Sequence, residues 1–240
     1  MDGTLPPVRD LQPILVLNEV PCPYLEGYWE RKLLLVLDGP EAQRRHDELT
    51  RGGFRRSQRY IYRPACRRCD ACVPARVPVR EFSLSRGQRR TWKRNEDLRG
   101  VPRAPLVTQE QFDLFQHYLQ ARHGDGEMAN MNERDFAEMV GASPVDTCLV
   151  EFRDEKGRMV AGLLCDRMTD GLSLVYSFFD PREEKRGLGN YMILWAIEEA
   201  ARLGLPFVYL GYWIEGSPKM AYKSAFKPLE VLRKRSWQRL

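Results

Sequence analysis

Histidine is nearly missing from this 240-residue chain: His46, His117 and His123 are the only three. None completes a Ser-His-Asp arrangement, so hydrolysis through such a triad is not indicated. No run of about 18 apolar residues occurs, which excludes a helical membrane span, and no membrane partner is expected. Met1 to Asp10 lack a basic start followed by an apolar core, so no signal peptide is expected. The glycine turn at Gly187–Gly189 has no third glycine for a dinucleotide fingerprint and no Walker lysine. These absences lead to the expectation of a cytoplasmic protein, in which the six cysteines serve as thiols or metal ligands rather than disulfides.

What is present is an ordinary globular composition, long enough for one large domain or two modest ones. Lys plus Arg (38) exceeds Asp plus Glu (33), a formal charge of +5. The excess is mild but unevenly placed, which points to nucleic acid or another polyanion.

The stretch from Tyr176 to Phe226 is the most informative. An apolar strand ends at Asp180-Pro181, and Lys185-Arg186-Gly187-Leu188-Gly189 follows. A helix apolar at Met192, Ile193, Trp195, Ala196, Ile197 and Ala200 then stops at Gly204-Leu205-Pro206, and Phe207 to Ile214 form a second strand. Strand, glycine turn, helix and strand present amide N–H groups to an anion or a carbonyl. The turn is close to the acetyltransferase turn that holds a pyrophosphate, except that Glu184 stands where Arg or Gln is usual. A tight turn with no ligand has the same pattern. Further on, Tyr222 and Lys223 are candidates for proton transfer or phosphate contact, or belong to a surface helix.

In the first hundred residues, Arg31 to Leu37 and Phe54 to Tyr62 read as strands around a helix from Glu41 to Thr50. Cys66-x-x-Cys69-x-x-Cys72 lets neighbouring thiolates reach one ion. Cys22 is the candidate fourth ligand, and zinc, an iron–sulfur cluster, redox-sensing thiols and plain free thiols all fit the spacing. Arg76 to Phe82 reads as a strand. Ser85 caps a helix through Leu98 that carries Arg86, Arg89, Arg90, Lys93 and Arg94, with few acids before Glu96. Such a face attracts a phosphate backbone. Trp92 within it either stacks on a base or lies in the core.

Gly100 to Pro105 reads as a linker. Thr108 and Gln111 form a capping box for a helix through Ala121. His123 to Gly126 read as a loop, and Asn132 starts a helix ending at Gly141. Three strands follow, at Cys148–Phe152, Met159–Met168 and Leu172–Phe179. Helices, an antiparallel meander and then strand–helix–strand make an α+β chain of acetyltransferase-like order.

Together these residues resemble the arginyl-tRNA–protein transferase family, and its short bacterial branch of aspartate/glutamate leucyltransferases above the rest. The resemblance runs over most of the chain. It rests on Cys22-x-Tyr24-Leu25, Gly53-Phe54-Arg55-Arg56-Ser57, Tyr62-x-Pro64-x-Cys66-x-x-Cys69-x-x-Cys72-x-Pro74-x-Arg76-Val77 and Phe82-x-x-Ser85-Arg86-x-Gln88-Arg89-Arg90. It continues through Asn95-x-Asp97-Leu98, Tyr176-x-Phe178-x-Asp180-Pro181, Leu188-Gly189, Leu210-Gly211-Tyr212-Trp213-Ile214, Lys219-Met220-x-Tyr222-Lys223 and Phe226-x-Pro228. Gly187 departs from the serine frequent there in relatives.

The resemblance implies a GNAT-type C-terminal domain (104–240) and a smaller cysteine-containing N-terminal domain (1–103). It implies an enzyme that moves an aminoacyl group from tRNA to a protein's N-terminal Asp or Glu, marking that protein for degradation. In eukaryotic relatives the N-terminal cysteines bind metal or a cluster, whereas the transfer itself needs no cofactor. On this reading Gly187, Leu188 and Gly189 hold the aminoacyl-adenosine end. Tyr222 or Lys223 assists proton transfer, and the Arg86–Arg94 helix meets the tRNA backbone. Arg55, Arg56 and Arg76 are the candidates for reading the acidic N-terminus, because a guanidinium matches a carboxylate bidentately. Length and motif spacing favour leucine as the donor, with arginine as the alternative. An acetyl-coenzyme A-dependent N-acyltransferase and a non-catalytic RNA-binding adaptor are the competing classes.

Overall fold

The computed structural model describes residues 13–122 and 131–240. The expected loop at His123–Gly126 and the start at Met1–Asp10 lie outside the described residues. The elements run β1 (Leu15–Val16), β2 (Val20–Pro21), β3 (Trp29–Glu30), β4 (Lys32–Val36), α1 (Ala42–Arg51), β5 (Arg55–Ser57), β6 (Tyr60–Pro64) and β7 (Val73–Pro78). After these come α2 (Arg86–Arg94), β8 (Arg99–Arg103), α3 (Gln109–Arg122), α4 (Glu133–Gly141), β9 (Thr147–Arg153), β10 (Met159–Met168) and β11 (Gly171–Phe179). The chain ends with α5 (Leu188–Arg202), β12 (Phe207–Trp213), β13 (Glu230–Arg233) and β14 (Ser236–Arg239).

An eight-stranded sheet in the order β14-β13-β7-β12-β11-β10-β9-β8 is the frame. The meander β9–β10–β11 is antiparallel, and β11 and β12 pair in parallel, as a strand–helix–strand crossover through α5 requires. Successive side chains of a strand face opposite ways, so the sheet has two cores. Helix α5 buries Leu188, Met192, Ala196 and Ala200 against one face, with Val77, Val208 and Leu210 opposite. Helices α3 and α4 bury Phe115 and Phe136 against Leu149, Leu164 and Phe178 on the other. A small sheet, β1-β4-β6-β5, carries its own cluster of Leu37, Ala42 and Ile61. Among the described residues no helix is long and apolar enough to cross a membrane.

Two expectations need correction. Phe54 to Tyr62 is not one strand but the hairpin β5–β6, turning at Gln58, whose φ is +54°. Arg56 Nη1 donates to the Gln58 carbonyl at 2.8 Å, so a side chain rather than a glycine secures the turn. Gly100 to Pro105 is not a linker, since Arg99–Arg103 pairs with β9 at the sheet edge, where a proline's missing N–H costs nothing. Strands β7 and β8, although they precede residue 104 in sequence, lie inside and at the end of the large sheet.

The expected cap at Ser85 and the expected box at Thr108 both form, and the first is also a box. Ser85 and Gln88 close one on α2, and Thr108 and Gln111 close the other on α3.

Candidate active site

The parallel pairing of β11 and β12 covers only Gly171–Phe207, Leu172–Val208 and Ser173–Tyr209. Both strands continue, to Phe179 and Trp213, so they open into a cleft beyond Ser173. A register shift between Tyr209 and Gly211, with Gly211 at φ +75°, bends β12 away, as a bulge does.

Arg55 fills this opening from the small sheet. Its Nη2 donates to the Val175 carbonyl at 3.3 Å. Its guanidinium carbon lies 2.5 Å from where a Cβ on Gly211 would stand, so a side chain there would displace the guanidinium, and the positive φ of Gly211 favours glycine as well. Arg55 Nη1 is buried without a protein partner, as is the hydroxyl of Tyr176 on β11, a costly condition for polar groups.

Lys223 adjoins the same cleft from a 3-10 turn, Ala221–Ala225. It is 6% exposed, and its Nζ donates to the Tyr212 carbonyl at 2.6 Å. Burial, reinforced by the positive charge of Arg55, lowers its pKa from 10.5 to about 7. Tyr222 is 43% exposed, but its phenol feels Arg55 and Tyr118. Loss of water there raises its pKa and Arg55 opposes the rise. The groups acting on Lys223, Tyr222 and Tyr176 are Arg55, Cys72 and Tyr118, with no carboxylate among them. Tyr212 is anchored in turn by its hydroxyl, shared between the carbonyls of Gly53 (3.0 Å) and Tyr62 (3.2 Å).

The three arginines expected to act together are separated. Arg56 is 3% exposed, and its Nε and Nη2 each donate to an Asp166 oxygen at 2.6 Å. Arg76 bridges Glu230 at 2.8 Å and lies between the rings of Phe207 (3.5 Å) and Trp237 (4.3 Å). Both already hold a carboxylate of this chain. Arg55 alone of the three has none among the described residues.

The glycine turn and the Tyr222–Lys223 turn both border the basic helix, one near each of its ends. Gly187 takes φ +66° as the N-cap of α5, a conformation that a serine there would strain. Leu188 is buried, so only its backbone can serve a ligand. Asp180 secures the approach, accepting from the Arg182 N–H and from the Arg158 and Arg182 guanidinium groups.

Helix α2 lies alongside. Arg94 donates to the Lys185 carbonyl, Asn95 to the Arg186 carbonyl at 3.0 Å, and Arg186 pairs with Asp97. At its other end Gln88 donates to the Ala225 carbonyl at 3.1 Å. Arg86, Arg89, Arg90 and Lys93 are all exposed. Trp92 packs on Tyr191, ring centroids 5.6 Å apart, and so belongs to the core.

Cys22, Cys66, Cys69 and Cys72 are free thiols lining one cavity of about 240 Å³ with Tyr24 and Glu30. Soft sulfur donors in that number suit zinc or an iron–sulfur cluster. Yet among the described residues no three His, Cys, Asp or Glu side chains are placed to hold a metal ion, so the arrangement as it stands does not fit one.

A mixed sheet whose parallel pair opens beside a helix N-terminus is the GNAT-type acyltransferase fold. The L-PGS structure from Bacillus licheniformis superposes with a TM-score of 0.52 at 14% identity, covering 69% of this chain and 61% of that one, a likeness of fold alone. The family follows from sequence. The chain belongs to the arginine-tRNA-protein transferase family: the N-terminal family model matches residues 20–90 and the C-terminal model residues 110–233. It is 50% identical to an aspartate/glutamate leucyltransferase of Gluconacetobacter diazotrophicus over 91% of this chain and 84% of that one. It is also 50% identical to one of Sphingopyxis alaskensis over 93% and 90%.

Proposed function

We propose that this enzyme transfers leucine from leucyl-tRNA to the α-amine of proteins beginning with Asp or Glu, marking them for degradation in the cytoplasm. The observation that supports it above the others is the placement of Arg55. A guanidinium with an unpartnered Nη1 stands in the cleft between β11 and β12, beside a lysine poised near neutrality. An acidic side chain satisfies that guanidinium, whereas an arginine donor would enter a site whose fixed charges are already positive. The leucyltransferase names of the relatives agree with this.

The chemistry is aminolysis of an ester that is already activated. The acceptor α-amine, with a pKa of about 8, is partly neutral at pH 7. Its nitrogen forms the new C–N bond, and the bond from the carbonyl carbon to the tRNA 3′-oxygen breaks. The proton lost by nitrogen passes to neutral Lys223; the Tyr222 hydroxyl gives its proton to the leaving 3′-oxygen and regains one from Lys223, so both groups return to their starting state. The main-chain N–H groups at Gly187, Leu188 and Gly189 hold the aminoacyl-adenosine end, and the exposed cations of α2 hold the tRNA backbone. Holding ester and amine together supplies most of the rate, since orientation contributes up to ~7–11 kcal/mol in ideal cases. No cofactor enters these steps.

The test is transfer of labelled amino acid from Leu-tRNA and, separately, Arg-tRNA to peptides beginning with Asp, Glu, Ala or Lys. Label from Leu-tRNA alone, on the acidic peptides alone, is expected. Transfer from Arg-tRNA, or equal labelling of all four peptides, defeats the reading.

A further inference from the structure

On the sheet face opposite α5 there is a cavity of about 700 Å³, bordered by the N-terminal hairpin, β7 and the β13–β14 hairpin. Four guanidinium groups line it, those of Arg51, Arg63, Arg76 and Arg235, and no carboxylate does. Two of the four are committed: Arg51 to Asp170 at 3.1 Å and Arg76 to Glu230 at 2.8 Å. Arg63 and Arg235 are exposed. Arg63 rests on the Phe54 ring at 5.3 Å, and neither has an acidic partner among the described residues.

The turn that carries Arg235 is built to project charge. Lys234 and Arg235 both have positive φ, +49° and +65°, the form of a tight hairpin turn, although neither is glycine. Arg233, Lys234 and Arg235 are all exposed, so the cationic surface extends beyond the cavity. Half-buried Trp237 closes one wall, its Nε1 donating to the Arg51 carbonyl at 3.2 Å.

We infer that this cavity binds phosphodiesters of the unpaired 3′ end of tRNA, a second RNA contact separate from α2. One acidic side chain neutralises one charge, whereas two arginines without acidic partners, one from β6 and one from the β13–β14 turn, suit more than one phosphate of a strand. The link to chemistry is Tyr212, which lines this cavity while its carbonyl holds Lys223. A strand lying here reaches the cleft where its terminal ester would react. The inference rests on the leucyl-tRNA reading of that cleft.

The experiment uses the full-length chain and the double variant Arg63→Gln/Arg235→Gln. Binding of uncharged tRNA is followed by fluorescence anisotropy across a salt series, and transfer to an Asp-peptide is measured alongside. The variant should bind tRNA about tenfold more weakly, and its log–log salt slope should fall by about 1.4, at ~0.7 per phosphate of a single strand. Its KM for the peptide should stay unchanged. Removing the unpaired 3′ nucleotides from the tRNA should erase the difference between the two proteins. Arg63→Lys/Arg235→Lys, which keeps the charge, should keep most of the slope.

An unchanged slope and affinity overturn the inference. So does a loss confined to the peptide KM, which would make the cavity an acceptor site, or a difference that survives 3′ truncation. If wild type fails to transfer leucine while the tRNA measurements behave as expected, the catalytic reading fails and the RNA cavity stands.

Discussion

Arg55 and Arg56 are neighbours on one short strand, and they have opposite fates. Strand alternation sends them to opposite faces. Arg56 enters a dry knot in which Asp166 accepts from it twice, Thr147 adds a hydrogen bond at 2.6 Å, and His46 Nε2 lies 3.3 Å from the same carboxylate. Burial works against the charged form of Asp166, but His46 and Arg56 outweigh it and hold its pKa at about 2. For His46, burial is likewise outweighed by Asp166 and Asp47, which raise its pKa. Arg55 enters the cleft between β11 and β12 and leaves Nη1 unpartnered. The satisfied arginine ties the small sheet to the large one, and the unsatisfied one lines the cleft. An arginine motif read from sequence therefore divides into stability and recognition only when its carboxylates are located.

The contrast can be broken most sharply at Arg56. Arg56→Ala leaves the buried Asp166 carboxylate without its main partner, which costs about 3–5 kcal/mol. A fall in melting temperature of about 10 °C should register in calorimetry. Protonating Asp166 should weaken the same knot. Its folded pKa lies below its ordinary value of 3.8, so its contribution is complete above about pH 4 and is lost as pH falls through about 2. Acid titration of wild type against Arg56→Ala measures that difference.

Next in size is Lys223→Met, expected to lower single-turnover transfer about 10²-fold while keeping the fold. In wild type the rate should rise through about pH 7 as Lys223 loses its proton. The variant should lose that limb and keep the one from the acceptor amine near pH 8. Stability gives an independent check. Between about 7 and 10.5 the unfolded chain binds a proton at Lys223 that the folded chain does not, so the Lys223 contribution makes wild type more stable as pH rises across that window. Lys223→Met should remove that slope in denaturant titrations.

At Arg55 the expected loss is smaller but more selective. Arg55→Ala should lower kcat/KM for Asp- and Glu-peptides about 30-fold, equivalent to about 2 kcal/mol for a hydrogen bond to a charged group. Its melting temperature should stay near wild type, the reverse of Arg56→Ala. An equal loss on an Ala-peptide would remove it from recognition. Smallest is the effect on α2, where Arg89→Gln/Arg90→Gln should weaken tRNA binding severalfold and flatten its salt dependence by roughly 1.5, with the peptide KM unmoved.

Much of this was legible in the chain. The Ser85 cap, the Thr108–Gln111 box, the apolar spacing of α5, the meander and the strand–helix–strand unit are local patterns, and local patterns survive translation into structure. Glycine at 187 signalled its left-handed turn. The β5–β6 turn was not legible, because Gln58 is not a turn residue by type and is secured by Arg56. The strand at 99–103 was hidden by its glycine and proline, which an edge position tolerates. Trp92 could be read as a base platform or as core, and contact with Tyr191 made it core.

Sequence alone determined the family, the order of elements and the residue types available for an acidic acceptor and a polyanion, since each is carried by neighbours along the chain. Only the tertiary structure decided which arginine is free, why Lys223 loses its proton near neutrality, and that Arg63 and Arg235, 172 positions apart in numbering, share a cavity. Those properties depend on desolvation and on charges brought close from distant strands, and neither is written in any single segment.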